Sequence, residues 1–308
     1  MAAKLYDLVI VGGGPAGLTA GLYAGRALLK TVLLEKGFLG GRAFTTSNIE
    51  NYPGFPEGIS GADMAEKLRK QAEKFGVEIL TGEDVVSLKD GELKEVTTAE
   101  NIYKAMTVII ASGLHLRTLN ILGEREFVGR GVSYCATCDG AFFTGKKIIV
   151  VGGGDSAIDE AIFLTRFAEK VTIVHRRDEL RAAKSLQEKA LAHPKIDFMW
   201  SSELRGIYGD NMVQKVVVLD KKAQKEREVS INGVFMYVGN VPNTAFAEGI
   251  LQLDENGYIL TDETLQTSVP GIFAAGDVRH NLLKQIVVAM GEGALASVSA
   301  EKYIESLK

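Results

Sequence analysis

Two stretches of the chain share one pattern of apolar and polar positions. The first, DLVIVGGGPAGLTAGLYAGRALLKTVLLEK, runs from Asp7 to Lys36. Its apolar run through Val11 predicts a buried strand, the glycines a turn, the next segment a helix, and the apolar run ending near Glu35 a second strand. The second stretch, KIIVVGGGDSAIDEAIFLTRFAEKVTIVHRR, repeats the plan from Lys147 to Arg177.

Laid over each other at an offset of 140, Gly12 meets Gly152, Gly14 meets Gly154, Gly17 meets Ala157, and residues 31–34 meet 171–174. A single G-x-G-x-x-G/A is weak, because glycine turns after strands are common. Two in register, each between a strand and a helix, form an internal repeat that predicts two dinucleotide-binding units of Rossmann-like α/β type. The first glycine makes the tight turn, the second admits backbone to a pyrophosphate, and the third position must be small for helix to pack on strand. The helix N-terminus then offers N–H donors and a positive dipole end.

The end of the second strand distinguishes the two copies. Glu35 there is a carboxylate suited to an adenosine ribose, whereas the second copy places His175 at that position, followed by Arg176 and Arg177. The acidic acceptor is missing and cations stand in its place, with Arg181 further on, which suits a 2′-phosphate and hence NADPH. The plainer reading of these arginines is a solvated turn. An FAD-type and an NADPH-type unit in one chain imply a flavoprotein reductase, since flavin accepts hydride from nicotinamide and passes electrons onward.

A length of 308 residues fits about two domains, and 46% hydrophobic residues suffice for a core in each. Lys and Arg number 35 against 39 Asp and Glu, for a net charge of −4 with no dense basic block, so nucleic acid is not an expected partner. No apolar run approaches the roughly 18 residues that span a bilayer, and the N-terminus leads into a strand and glycine turn. A cytoplasmic protein without a membrane partner is expected.

The two cysteines of the chain, Cys135 and Cys138, stand in SYCATCDGAF. Zinc would need further ligands, but no cysteine remains, and His115, His175, His193 and His280 are scattered; no metal is expected. Two buried thiols remain an alternative, although Ala136, Thr137 and Asp139 do not read as strand alternation. A Cys-x-x-Cys can also close a small disulphide ring and lower one thiol's pKa, with Asp139 placed to carry a proton or to serve as a turn residue beside Gly140.

Taken in order, GGGPAGLTA at 12–20, ENYPGFP at 50–56, CATCDG at 135–140, GGGDSAIDEA at 152–161, HRRDELRA at 175–182 and GIFAAGDV at 271–278 closely resemble the low-molecular-weight, bacterial-type thioredoxin reductases over essentially the whole chain. The resemblance implies an FAD domain of residues 1–117 and 245–308, with an NADPH domain, 118–244, inserted and carrying the redox pair. It implies pyrophosphate near Gly12, Gly14 and Ala16, ribose at Glu35, and the flavin side near Asn51, Asp277 and Gln285. It further implies NADPH at Gly152, Gly154, Ser156, His175, Arg176, Arg177 and Arg181. Arg42, Ala43, Ser112 and Lys284 depart from the commonest pattern. KKIIVV and IVVAMGEGALASV read as framework, a buried strand and a closely packed helix.

By the same resemblance, electrons pass from NADPH through FAD to a Cys135–Cys138 disulphide and on to thioredoxin. Cys138 faces the flavin, Cys135 attacks the protein substrate, Asp139 acts as acid and base, and the protein is a homodimer. Other readings of the residues are a related flavin reductase for a peroxidase-reducing or glutaredoxin-like protein, a ferredoxin-driven enzyme, which the intact GGGDSA and HRR oppose, and a redox-sensing flavoprotein of low turnover.

Overall fold

The computed structural model describes residues 4–46, 49 and 51–307. The chain forms two compact units, Met1–His115 with Val241–Lys308, and Leu116–Asn240. Short strands β7 (Leu114–Leu116) and β16 (Asn240–Pro242) stand where the chain leaves and re-enters the first unit.

In the first unit, β1 (Lys4–Val11), β2 (Thr31–Glu35), β3 (Glu78–Thr81) and β6 (Ile102–Ile110) lie in the order β3-β2-β1-β6, all parallel. The outer edge of β6 is shared. Its N-terminal half pairs antiparallel with β5 (Lys94–Thr98), which carries β4 (Val85–Lys89), and its C-terminal half pairs parallel with β17 (Ile272–Ala274). The unbroken apolar run of β1 follows from burial on both faces. Leu8 and Ile10 join a cluster with α1 (Pro15–Arg26), α2 (Gly61–Lys74) and α6 (Ile286–Ser306), while Val9 and Val11 join another with Ala247, Leu251 and Val278.

Small residues let α6 approach α1 closely: a Cβ added at Gly293 would lie 2.1 Å from the Ala16 carbonyl oxygen. Proline at the first position of α1 starts that helix without wasting a donor. Ser60 caps α2, its Oγ accepting from the Asp63 N–H at 3.0 Å.

In the second unit, β8 (Val132–Ser133), β9 (Lys147–Val151), β10 (Lys170–Val174), β11 (Ile196–Met199) and β15 (Gly233–Met236) form a parallel sheet in the order β11-β10-β9-β15-β8. The alternation of β9 decides its two sides. Ile148 and Val150 pack with α4 (Asp155–Leu164) and α5 (Lys184–Leu191). Ile149 and Val151 pack on an antiparallel sheet of β12 (Ser202–Gly209), β13 (Val213–Asp220) and β14 (Lys225–Ser230). β1, α1 and β2 thus recur as β9, α4 and β10, and both units are Rossmann-like α/β folds with the glycine turn at a carboxyl strand end, beside the strand-order switch.

Candidate active site

The first glycine turn is held by its own backbone and by Glu35. Gly12 lies at φ +106°, where an added Cβ would meet the Ala111 carbonyl oxygen at 2.4 Å, so the turn requires glycine twice over. Gly17 meets Gly12 still more closely, at 1.9 Å from an added Cβ to the carbonyl oxygen. Gly14, the N-cap of α1, faces open space and has no side-chain cap, so donors at this helix end are left for an anion. The Glu35 carboxylate accepts from the Gly13 N–H at 2.6 Å and the Gly37 N–H at 2.7 Å. One bond per oxygen leaves acceptor capacity for a sugar hydroxyl. This open N-cap beside an oriented carboxylate fits the phosphate and ribose of FAD.

A second group forms in the same unit from its C-terminal segment. The Asn51 side-chain amide donates to Gln285 Oε1 at 2.9 Å, joining residues 234 apart; Glu50, beside Asn51 in the sequence, lies outside the described residues. Burial pushes the Asp277 carboxyl above the usual carboxylate range, while the Lys284 and Arg42 charges oppose that rise. Burial likewise lowers the Lys284 ammonium, against the pull of Asp277, Glu292 and Asp254. Lys284 donates to the Asp277 and Arg279 carbonyls at 3.1 and 3.2 Å and to Asn281 Oδ1 at 3.1 Å, and lies 4.1 Å from the Tyr258 ring centre.

Glu292 ties this region together, and sequence reasoning passed over it. Its Oε2 accepts from the Gly276 N–H at 2.7 Å and its Oε1 from Arg279. The only signal was a carboxylate set among small and apolar residues in a segment that otherwise reads as framework.

In the second glycine turn, Gly152 takes φ +151° and an added Cβ would lie 2.7 Å from Ala157 Cβ. Gly154 again faces open space at an uncapped helix start, with Ser156 exposed in the first turn of α4. Asp155 Oδ1 accepts from the Ala183 N–H at 2.7 Å, and the Gly153 carbonyl accepts from the Arg181 N–H at 2.8 Å, so the loop carrying Arg181 is bound to the turn.

His175 differs from the cationic role the sequence suggests. It is 5% exposed, and its ring covers Gly153, where an added Cβ would lie 2.4 Å from Cε1. Burial, then the charges of Arg181, Arg177 and Arg176, hold its pKa below the usual imidazole value. The ring is therefore neutral near pH 7, and Arg176, Arg177 and Arg181, all exposed, supply the positive charge. His175 Nε2 is buried without a protein partner, an orphaned polar atom beside the turn. The donors and cations present fit a phosphorylated dinucleotide.

The cysteine segment follows β8 on the same sheet. Cys135 is disulphide-bonded, and the chain holds one other cysteine, Cys138, in the next turn. The Cys138 side chain lies outside the described part of the structure. One helical turn, α3 (Ala136–Asp139), closes as the Asp139 N–H donates to the Cys135 carbonyl at 3.1 Å. Ser133 Oγ accepts from the Cys135 N–H at 3.0 Å. The Tyr134 hydroxyl donates to Glu124, a fully buried carboxylate, at 3.0 Å, and the Ala136 N–H donates to the Tyr237 hydroxyl at 2.9 Å. Gly140 packs on Leu164 and Phe167, Phe143 is buried and Phe142 is exposed. Nothing in the sequence pattern marks Glu124 or Tyr237. Among the described residues, no group of three or more His, Cys, Asp or Glu is placed to hold a metal ion, and no helix is long and apolar enough to cross a membrane.

Two strand–glycine turn–helix units, one bearing an oxidised Cys-x-x-Cys turn, describe a dinucleotide-dependent disulphide oxidoreductase. The chain belongs to the pyridine nucleotide-disulphide oxidoreductase family, whose sequence profile matches residues 6–293. Within it, the chain is similar to thioredoxin reductases. It is 49% identical to that of Listeria innocua over 307 residues, covering 99% of this chain and 96% of the relative. It is 47% identical to that of Bacillus subtilis over 307 residues, covering 99% and 96%. The crystal structure of Lactococcus lactis thioredoxin reductase superposes with a TM-score of 0.93 at 44% identity, over 98% of this chain and 99% of the other.

Proposed function

We propose that the protein is an NADPH-dependent flavoprotein enzyme that reduces the disulphide of thioredoxin through its Cys135–Cys138 pair. The observation that carries the reading is the oxidised Cys135 at the head of a one-turn helix, in the unit that also bears the second glycine turn and the exposed arginines. The similarity to thioredoxin reductases over nearly the whole chain supports the same substrate.

Gly12, Gly14 and Ala16 would receive the FAD pyrophosphate, Glu35 its ribose, and Asn51, Asp277 and Gln285 its flavin side. Gly152, Gly154 and Ser156 would receive the NADPH phosphates, with His175 as a neutral wall and Arg176, Arg177 and Arg181 for the 2′-phosphate. Bound FAD supplies a two-electron relay between nicotinamide and disulphide.

In this reading Cys138 takes the electrons delivered by the flavin, and Cys135 attacks the protein substrate. In that step the Cys135 thiolate displaces one sulfur of the thioredoxin disulphide. Cys138 then displaces Cys135's new partner, closing the enzyme disulphide and releasing thioredoxin as a dithiol. Asp139, in the same turn, moves the proton that the exchange requires. The FAD domain would comprise residues 1–117 and 245–308 and the NADPH domain 118–244, in a cytoplasmic homodimer.

The test is a visible spectrum of the purified protein, an anaerobic titration with NADPH and then NADH, and turnover with thioredoxin. Flavin bands bleached by NADPH, with thioredoxin turnover abolished in Cys135→Ser and Cys138→Ser, support the proposal. A colourless protein, or turnover that survives either substitution, overturns it.

A further inference from the structure

Tyr237, the residue that follows β15, reaches the cysteine turn through its hydroxyl. Its backbone is seated at the end of β9: its N–H donates to the Val151 carbonyl at 2.8 Å, and its own carbonyl oxygen lies where a Cβ on Gly152 would come within 2.4 Å. Its ring packs on the cluster that contains Ala136 and Phe143. The hydroxyl is therefore a fixed point, set by the parallel sheet.

To that point the turn attaches the N–H of Ala136, 101 residues away in sequence and fully buried. This N–H belongs to the first peptide after Cys135, inside the ring that a 135–138 disulphide closes. Ser133, the last residue of β8, holds the same stretch from the other end: its Oγ accepts from the Cys135 N–H at 3.0 Å and donates to the Cys135 carbonyl at 3.2 Å. Tyr134 and Glu124 anchor the chain ahead of Cys135.

A disulphide keeps its two Cα atoms within a narrow range of separation, and reduction releases that constraint. The peptide between Cys135 and Ala136 then turns more freely. A bond from a fixed hydroxyl to that peptide is consequently worth more to the closed ring than to the open dithiol. We propose that Tyr237 is a positioning residue for disulphide exchange: by holding the Ala136 N–H it stabilises the oxidised pair and sets the pair's redox balance. The proposal rests on the pair being redox-active.

The test equilibrates the holoenzyme and its Tyr237→Phe variant with graded ratios of oxidised to reduced dithiothreitol and counts free thiols by alkylation and mass. Each step exchanges two electrons and two protons between the pair and that reagent. Removing one partner of a buried hydrogen bond is expected to move the equilibrium about tenfold toward the dithiol, the factor that corresponds to about 1.4 kcal/mol. A merely structural tyrosine would lower the melting temperature and leave the midpoint in place, and an unmoved midpoint overturns the proposal.

Hydrogen exchange on the unsubstituted holoenzyme gives a second reading that does not depend on the variant folding. The Ala136 amide is expected to exchange at least about tenfold faster in the dithiol form than in the disulphide form; equal protection in both overturns the proposal. A wild-type pair that never responds to dithiothreitol sinks the redox reading as well, whereas an unshifted variant midpoint sinks only the role of Tyr237.

Discussion

Glu292 Oε1 accepts from Arg279 Nη1 at 2.5 Å, and the two side chains are only 12% and 15% exposed. The second oxygen of the same carboxylate takes the N–H of Gly276, which stands at φ +78° immediately before Asp277. One carboxylate on α6 thus fixes both the turn that presents Asp277 and the cation beside it.

Breaking this pair from one side leaves a buried charge without its counterion. Glu292→Gln is expected to destabilise the protein by about 3–5 kcal/mol in urea unfolding, and the double variant Glu292→Gln with Arg279→Met to recover part of that loss. The single variant should also lose flavin on gel filtration, read as the ratio of visible to ultraviolet absorbance. A double variant no more stable than the single one would mean that the charge pair is not the cause.

The glycines of the first turn separate folding from binding. Gly17→Ala would force a Cβ to within 1.9 Å of the Gly12 carbonyl oxygen, and is expected to cost about 1–3 kcal/mol or more. Gly14→Ala meets open space at φ −74°, so the apoprotein should melt as the unsubstituted one does while its affinity for FAD falls. Flavin titration of both apoproteins, with their thermal melts, distinguishes the two effects.

The exposed arginines after β10 should select between nicotinamide nucleotides. If Arg176 and Arg177 hold the 2′-phosphate as proposed, Arg176→Ala with Arg177→Ala would remove two charge-assisted contacts, each worth about 1.5–3 kcal/mol, and KM for NADPH is expected to rise at least about tenfold. KM for NADH, which lacks the 2′-phosphate, should change by less than about twofold. Equal rises for both nucleotides would assign the arginines to the fold.

His175 makes stability depend on pH in a defined direction. Its folded pKa lies below the ordinary imidazole value of 6.5 because burial penalises the charged ring. The folded protein therefore binds fewer protons than the unfolded chain. The contribution is fully present above pH 6.5 and is lost as pH falls through the lowered folded value. Thermal melts from pH 8 down to pH 5 should show a steeper loss for the unsubstituted protein than for His175→Gln.

Local pattern carries the two folding units because their signals are local. Leu8 and Ile10 against Val9 and Val11, and Ile148 and Val150 against Ile149 and Val151, are each other's neighbours in sequence. Strand alternation alone sends them to opposite sides of a sheet. The glycines at 12, 17 and 152 are similarly legible, since each is demanded by a turn or helix within a few residues or by the strand beside it. The charge state of His175 was not legible: the sequence puts it in a row of cations, and only the fold buries its ring over Gly153 and leaves the arginines outside.

From the sequence alone come two strand–glycine turn–helix units, their contrast between Glu35 and His175-Arg176-Arg177, and a cysteine pair with no ligands to make a metal site of it. Only the tertiary structure brings Gln285 to Asn51, Glu292 to Gly276 and Arg279, and Tyr237 to Ala136. The reason is physical. Periodicity reports which face of an element is buried, whereas these hydrogen bonds depend on which buried faces meet, and their partners carry no signature of one another along the chain.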